Sequence, residues 1–484
     1  MIFCFWCFGL VRSNLSLINA FDTGLYLQIL ENIVRYQTWE SSITGESNFL
    51  SHHFQPVILL LVPAHLVWPK AEMLFLVSAL SVGFTAYLML KLYSGRVRPL
   101  ALFVLVLTFI LQPTVNLRLL HSFVPEVLAL PGLLIFASWL SGFPDLSQRR
   151  YYLFGFALSL WIGACKENLW LVNFWVFFAM GVSFSRCRRA SFLLAGLNLV
   201  IFVFLFFWWM PSMTNMPSYY GQRYFMIAEY SELGLWGLVK SMVFNLFSMR
   251  SLNTFFGSAV LLTGGLVLLG SRRPLIGALP SLLFILMSNS SIVHSPKNHY
   301  LMLCMPFFWI SVLDAWEKLQ NREIHFKILR MATFAAFVFG IFSTSMTLIE
   351  FASIVAKWSP KLSLVQMDIK RVKDSLKPDQ SKIIVDGTLQ PLFYDIRYSL
   401  TTLAFIGNPR QLQVSDFPTI TDVVTFVDVD QISDCGSVKG SVQADGGVSY
   451  DYESYRQYCD WLKNAKKTKV IYPSDVVHYT LNNI

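Results

Sequence analysis

The sequence predicts an α-helical polytopic membrane protein of about eleven transmembrane helices, ending in a small α/β domain outside the membrane. Three observations lead there. Of 484 residues, 55% are hydrophobic and only 14% charged, with a mean hydropathy of +0.52; one soluble core cannot hide that much apolar surface. Apolar runs recur through most of the chain, and basic clusters fall in every other loop between them. Past Phe351 the composition shifts to short strand-like and polar helical runs. The net charge of +9 sits mostly in the short loops, where membrane orientation accounts for it, so no nucleic-acid partner is expected.

In chain order, Met1–Val11 is apolar but about half the length of a span. It reads as a clipped first helix, or as one that continues through Arg12 toward Phe21; it lacks the basic start and cleavage site of a signal peptide. Cys4 and Cys7 lie in this run beside Phe5 and Trp6, and the seven cysteines are not spaced for metal. Residues 21–56 then form the longest polar interruption before the spans begin in earnest. Asp22 opens this first outer loop directly after an apolar segment and is the candidate general base; His52 and His53 close it. Leu25, Ile29 and Ile33 recur every fourth residue, with Gln28, Glu31, Asn32 and Arg35 elsewhere, which predicts an amphipathic helix lying on a membrane surface.

Val57–Trp68 is short and punctuated by Pro56, Pro63 and Pro69, so it reads as a juxtamembrane or re-entrant segment rather than a crossing. Spans follow at Leu74–Leu92 and near 100–113, 125–140, 151–164, 169–184, 190–210, 253–270, 274–288, 300–316 and 328–350. With these spans the loops carrying Lys91, Arg96 and Arg98, then Arg149 and Arg150, Arg186, Arg188 and Arg189, Arg272 and Arg273, and Lys318, Arg322, Lys327 and Arg330 all face the cytoplasm. The amino end is then inside and the carboxyl end outside. A full crossing at Val57–Trp68 would put the Asp22 loop on the cytoplasmic side instead.

This orientation collects ionisable residues at the outer face: Asp22, His52, His53, Arg118, His121, Glu126, Lys166, Glu167, Arg223, Lys240, Lys297 and His299, with Tyr219, Tyr220 and Tyr300 beside them. Such groups at a membrane face are costly unless paired or hydrated, so their gathering is a site hypothesis. Lys166 and Glu167, adjacent between two apolar runs, read either as part of that site or as a local charge pair. His299 and Tyr300 read as ligand contacts or as an interfacial anchor. The large outer loop, 211–250, places Tyr219, Tyr220 and Arg223 together. That combination suits a phosphate or sugar headgroup, or an ordinary aromatic belt.

Beyond the last span, residues 357–484 form the predicted outer domain. Val365–Leu376 and Tyr452–Lys467 read as helices, and 382–386, 423–429 and 469–473 as strands. Cys435 and Cys459 would lie where disulfides persist, which predicts a bridge between them.

The run FDTGLYLQILEN followed by SHHFQPVILLLVPAHLVWP resembles the opening signature of a bacterial membrane family, domain of unknown function 2079. Shorter matches are HSFVPEVLALP, KEN at 166–168, HYLMLCMP at 299–306 and the KIIVDGTLQPLFYDIRYSLTTL region. The HSFVPE block separates His121 from Pro125 and Glu126 more widely than that family's usual run does. The family is similar in layout to the GT-C superfamily of membrane glycosyltransferases, whose catalytic acid stands in the first outer loop and whose donors are polyprenyl-phosphate sugars. The resemblance implies residues 1–356 as a GT-C-like domain in a bacterial inner membrane, with Asp22 in the catalytic position. It also implies a glycan, lipid or protein acceptor.

The chemistry fits these residue types. A carboxylate within about 3 Å of an acceptor hydroxyl can take its proton as the anomeric carbon is attacked. Cations aimed at the departing lipid phosphate stabilise the charge it gains. Lys166, Arg223, His53, His299 and Tyr300 are the candidates for the donor phosphate, with Glu167 and Glu126 orienting them. The resemblance leaves open a divalent cation, such as magnesium or manganese, held by Asp22, His52 and His53. Two rival classes stay open as well. A flippase or transporter of a lipid-linked saccharide should carry its charges near the midplane and show an internal repeat, and a scaffold would be indifferent to loss of Asp22.

Overall fold

The computed structural model of the chain describes residues 6–7, 23–41, 48–51, 53–116, 122–142, 148–214, 240, 243–257, 262–288, 300–376, 382–385, 398–401, 422–425, 462, 467–471 and 477–481. Helices dominate. Helix α1, Leu25–Tyr36, is followed by a 3-10 turn, Pro56–Leu61, running into α2, Val62–Val67. The bundle then comprises α3 (Ala71–Tyr93), α4 (Pro99–Leu111), α5 (Leu130–Ser141), α6 (Gln148–Gly163), α7 (Leu169–Ser183) and α8 (Arg188–Phe204). A π-turn, Leu205–Trp209, joins α8 to α9, Met210–Thr214. After α10 (Met249–Phe256) come α11 (Arg272–Met287), α12 (Met305–Leu319) and α13 (Glu323–Ser375). Among the described residues, three stretches are long and apolar enough to cross a membrane: Ala71–Tyr93, Ser185–Met213 and His325–Ile349. Shorter apolar helices of 10–17 residues cover Pro56–Val67, Pro99–Leu111, Pro125–Ser141 and Leu169–Ser183.

Prolines start many of these helices where a missing N–H costs nothing: Pro99, Pro125, Pro131 and Pro306 each stand at a first or second position. The core is one contiguous apolar cluster in which α5 and α12 are almost wholly buried. Helix α7 packs on both α8 and α11, and α13 packs along α4.

Three expectations change. Helix α1 is not a surface helix, because Leu25 to Asn32 are all buried, Gln28 and Glu31 included. The segment 53–67 folds back over its polar side, with Tyr26 donating to Gln55 at 2.9 Å and His65 meeting Glu31 at 2.8 Å. The predicted span 253–270 is not one helix. Helix α10 ends at Phe256, and Gly264 and Gly265 take left-handed φ values of 60° and 76°, conformations open to glycine and closed to continued helix. A Cβ on Gly264 would meet the carbonyl of Ala332 on α13. Finally, the span 328–350 and the polar helix 365–376 are one continuous helix, α13, 53 residues long.

Beyond α13, five short strands, β1 (Lys382–Val385), β2 (Tyr398–Thr401), β3 (Asp422–Thr425), β4 (Lys467–Ile471) and β5 (Val477–Leu481), form one mixed sheet of order β2-β1-β3-β5-β4. Strands β2, β1 and β3 run parallel, while β5 is antiparallel to both β3 and β4. The anticipated helix 452–467 lies outside the described residues except for Leu462 and Lys467, the latter in β4; Cys435 and Cys459 also lie outside them.

Candidate functional site

The turn between α6 and α7 carries Lys166 and Glu167, and three distant segments converge on it. The first is the loop before the Pro56 turn. Val57 donates its backbone N–H to Ala164 O at 3.1 Å, Phe54 N–H donates to Glu167 Oε2 at 2.8 Å, and His53 Nδ1 donates to Glu167 Oε1 at 3.1 Å. The second is the 3-10 turn Pro125–Ala129, where Glu126 forms an ion pair with Lys166 Nζ. The third is Tyr300, whose ring centre lies 5.4 Å from the Lys166 ammonium, within reach of a cation–π contact. Trp161 Nε1 fastens the turn from behind by donating to Leu128 O at 2.9 Å.

Lys166 and Glu167 therefore do not pair with each other; each reaches across the fold to its own partner. Lys166 is 3% exposed, Glu126 2% and Glu167 0%. A buried ammonium of this kind survives only with its carboxylate in place, since either charge alone would be strongly destabilising. Cys165 is fully buried next to them; burial first, then the nearby Glu126 charge, pushes its thiol well above the ordinary 9.0.

The chain that follows Asp22 is anchored to the same place. Thr23 is fully buried, and its Oγ1 accepts the backbone N–H of Phe123 at 3.0 Å, three residues before Glu126. Tyr26 stacks edge-on against both Phe49 and Phe123. Glu31 is shared between His65 and Arg35. Burial tends to raise its carboxyl, but the His65 hydrogen bond and the Arg35 charge outweigh that and leave it below the ordinary 4.5. Trp6 meets Trp68 edge-on at 6.4 Å.

Beside the ionic group lies an apolar cavity of about 190 Å³, lined by Asn168, Leu171, Val172, Phe202, Phe206, Pro280, Ser281 and Phe284. Two helix irregularities line it, the π-turn through Phe206 and Pro280 inside α11. Phe284 lies 6.1 Å from Tyr300, so one aromatic pair separates the cavity from Lys166. Trp209, from the same π-turn, packs edge-on to Phe54 at 5.2 Å.

Of the residues singled out in sequence, the fold thus brings together Lys166, Glu167, Glu126, His53 and Tyr300. Asp22, His52, Arg118, His121, Arg223, Lys297 and His299 lie outside the described residues. Among the described residues no three His, Cys, Asp or Glu side chains are grouped to hold a metal ion, and the one described candidate ligand, His53, is engaged with Glu167 through Nδ1. Sequence reasoning missed Thr23, Gln55, His65 and Asn168. A lone histidine inside the apolar run VPAHLV was the available signal for His65.

A family described as "Predicted membrane protein (DUF2079)" matches residues 14–427. None of the curated proteins matches the chain in sequence. Among solved structures, ArnT from Cupriavidus metallidurans bound to undecaprenyl phosphate is similar over 100% of this chain and 98% of its own, at 14% identity and a TM-score of 0.52. The same protein in the apo state gives 12% identity, the same coverage and a TM-score of 0.51. The chain thus shares its fold with ArnT.

Proposed function

The chain belongs to the DUF2079 family of predicted membrane proteins and shares its fold with ArnT, and we propose that it is a GT-C-type glycosyltransferase that moves a sugar from a polyprenyl-phosphate donor to an acceptor on the outer side of a bacterial inner membrane. The observation that carries this reading is the buried Lys166–Glu126 pair, capped by Tyr300 and walled by an apolar cavity. A lipid phosphate has both parts, an anionic head and a long apolar tail, and the solved relative was crystallised with such a lipid.

In this reading the prenyl chain enters the cavity between α7, α8 and α11, and its phosphate meets the Lys166 ammonium, which Glu126 orients. His53, held by Glu167, stands at the same turn and donates a second proton toward the phosphate. Asp22, one residue before the anchored Thr23, takes the proton from the acceptor hydroxyl while the anomeric carbon–phosphate oxygen bond breaks. The leaving phosphate gains negative charge where the surroundings are apolar, so the preformed cation contributes most in the transition state. Arg223 and His299 complete the phosphate set. A divalent cation, where one is used, would supply the same charge stabilisation, with Asp22 and His52 as its carboxylate and imidazole. In this reading the amino end is inside and residues 357–484 form an outer domain.

Asp22→Asn tests the proposal. In a deletion strain complemented with the variant, mass spectrometry of envelope glycans should show transfer reduced at least about a hundredfold, with undecaprenyl phosphate binding by the purified variant retained. Unchanged transfer, or labelling of a cysteine at position 22 only from the cytoplasmic side, sinks it. A flippase would give unchanged transfer.

A further inference from the structure

Asn168 stands where the ionic turn meets the apolar cavity. It follows Lys166 and Glu167 directly in the chain, immediately precedes α7, and lines the cavity of about 190 Å³. An asparagine just before a helix ordinarily turns its side-chain oxygen back onto an N–H of the first turn. This one does not. Its backbone is already helical, with φ of −71° and ψ of −16°, and its side chain makes no capping bond. The backbone carbonyl receives Leu171 N–H at 3.1 Å and Val172 N–H at 3.4 Å. The side-chain oxygen, by contrast, is buried with no hydrogen-bond partner among the described residues.

An amide left unused beside a hydrocarbon-lined space is costly, and a leucine would fill the same place without that cost. Apart from Asn168, the only polar residue of the lining is Ser281 on α11. Phe202 and Phe206 stack at 5.4 Å in the wall that α8 contributes, on a stretch only 28% buried in the protein, so the cavity lies one aromatic layer from lipid. A pure hydrocarbon here would leave the amide without a partner, and a small anion would leave the aromatic lining empty. The ligand that satisfies both is an amphiphile whose last polar atom before the hydrocarbon falls at Asn168. With Lys166 two residues away, its head is anionic. An apolar cavity of about 150 Å³ holds a benzene, so this one takes roughly one or two five-carbon units of a prenyl chain, those next to the head.

We propose that Asn168 Nδ2 donates to the ester oxygen joining the prenyl chain to its phosphate, with the first isoprene units in the cavity and the phosphate at Lys166. A half-turn of the amide exchanges its oxygen for its N–H groups, so a ligand oxygen that only accepts can be met. The inference rests on the polyprenyl-phosphate reading and deepens it. The oxygen that Asn168 reads belongs to the bond that stays intact, while the sugar leaves from a different oxygen of the phosphate. Asn168 is therefore a positioning residue: it fixes the register of the phosphate along its tail and takes no part in the bond that breaks.

The test measures binding of undecaprenyl phosphate and of its phosphonate, in which a methylene replaces that ester oxygen, to the full chain in lipid nanodiscs. Wild type should hold the phosphate about tenfold tighter than the phosphonate, as one hydrogen bond to a charged group allows. Asn168→Leu should shrink that ratio about fivefold or more, leave phosphonate affinity unchanged and preserve or raise the unfolding temperature. Comparing ratios cancels any difference in charge between the two lipids. Asn168→Asp, the same size without the N–H, should shrink the ratio as well and carries the test if the leucine variant does not fold. A ratio unchanged in the folded variants overturns the contact and assigns the amide to internal water. A wild type that binds both lipids equally overturns the contact alone and leaves the donor reading standing. A wild type that binds neither overturns the donor reading and this inference with it.

Discussion

The two ends of the helical bundle treat charge in opposite ways. Helices α3, α5 and α12 all run from the end that holds the candidate site to the end that holds Tyr93, Ser141 and Asp314. At the second end, Asp314 is 1% exposed but accepts hydrogen bonds from the hydroxyls of Tyr93, at 2.6 Å, and Ser141. Nearby, Arg96 pairs with Glu317 at 2.6 Å with its side chain 49% exposed, and Arg98 lies over the Phe326 ring. Buried charge there is met by neutral donors, and the cations lie partly in the open. At the site end the cation itself is buried, with a carboxylate beside it and an apolar cavity next door. The first arrangement clamps helix ends; the second keeps an ammonium dry, which is useful for gripping an anion and expensive for stability alone.

Breaking the buried pair should have the largest effect. Lys166→Met leaves the Glu126 carboxylate buried without its ammonium and should cost about 3–5 kcal/mol in unfolding free energy. Combining it with Glu126→Leu should restore most of that stability, because an apolar pair of similar volume packs where the ions stood. Undecaprenyl phosphate affinity should stay lost in the double variant. A double variant that is stable and still binds the lipid would make the two ends equivalent and remove the functional reading of Lys166.

At the opposite end, Tyr93→Phe removes one of the two hydroxyls on Asp314. Hydrogen bonds to a charged group are worth about 1.5–3 kcal/mol, and chemical unfolding should register a loss of that order. Lipid binding and transfer should be unchanged. A loss of transfer in a variant that remains folded would mean that the two ends are coupled.

What the sequence allowed to be read divides along the same lines. The helical period of Leu25, Ile29 and Ile33 is local, and α1 is where it points. The burial of its polar face is not local, since the cover comes from Gln55 and His65, 29 and 34 residues away. Lys166 and Glu167 were visible as charges between apolar runs, but which partners they take was not, since Glu126 and His53 lie 40 and 114 residues off. The interruption of the 253–270 run was written in Gly264 and Gly265, masked by the apolar residues around them. The continuity of α13 was hidden because backbone helical bonding is indifferent to the fall in hydropathy past Phe351 that reads as a boundary.

A smaller effect separates Glu31 from Glu126, both buried carboxylates at the site end. The carboxyl of Glu31 is held below its ordinary 4.5 by His65 and Arg35 despite burial. A carboxylate with a depressed folded-state pKa contributes stability that is complete above the unfolded value and is lost as pH falls through the folded one. The unfolding temperature should therefore decline below pH 4.5, and Glu31→Gln should flatten that decline while lowering stability at neutral pH. An acid limb of the same size in Glu31→Gln would assign it to another carboxylate.

The smallest effect belongs to the exposed pair. Arg96 donates twice to Glu317, through Nε at 2.9 Å and a terminal nitrogen at 2.6 Å. Partial burial works against its charge, but the hydrogen bonds and the charge of Glu317 hold its pKa above the ordinary value. Solvent screening limits what such a pair is worth, to about 0–1 kcal/mol, and salt reduces it further. Arg96→Ala should thus shift the unfolding free energy by less than about 1 kcal/mol at low salt and by still less in half-molar salt. It should leave lipid binding untouched, because the loop it occupies lies across the bundle from Lys166. A loss several times larger, insensitive to salt, would show that Arg96 acts through the buried Tyr93–Asp314 bond beneath it, over whose ring its guanidinium sits at 4.7 Å, and that this end too stores a charge the fold depends on.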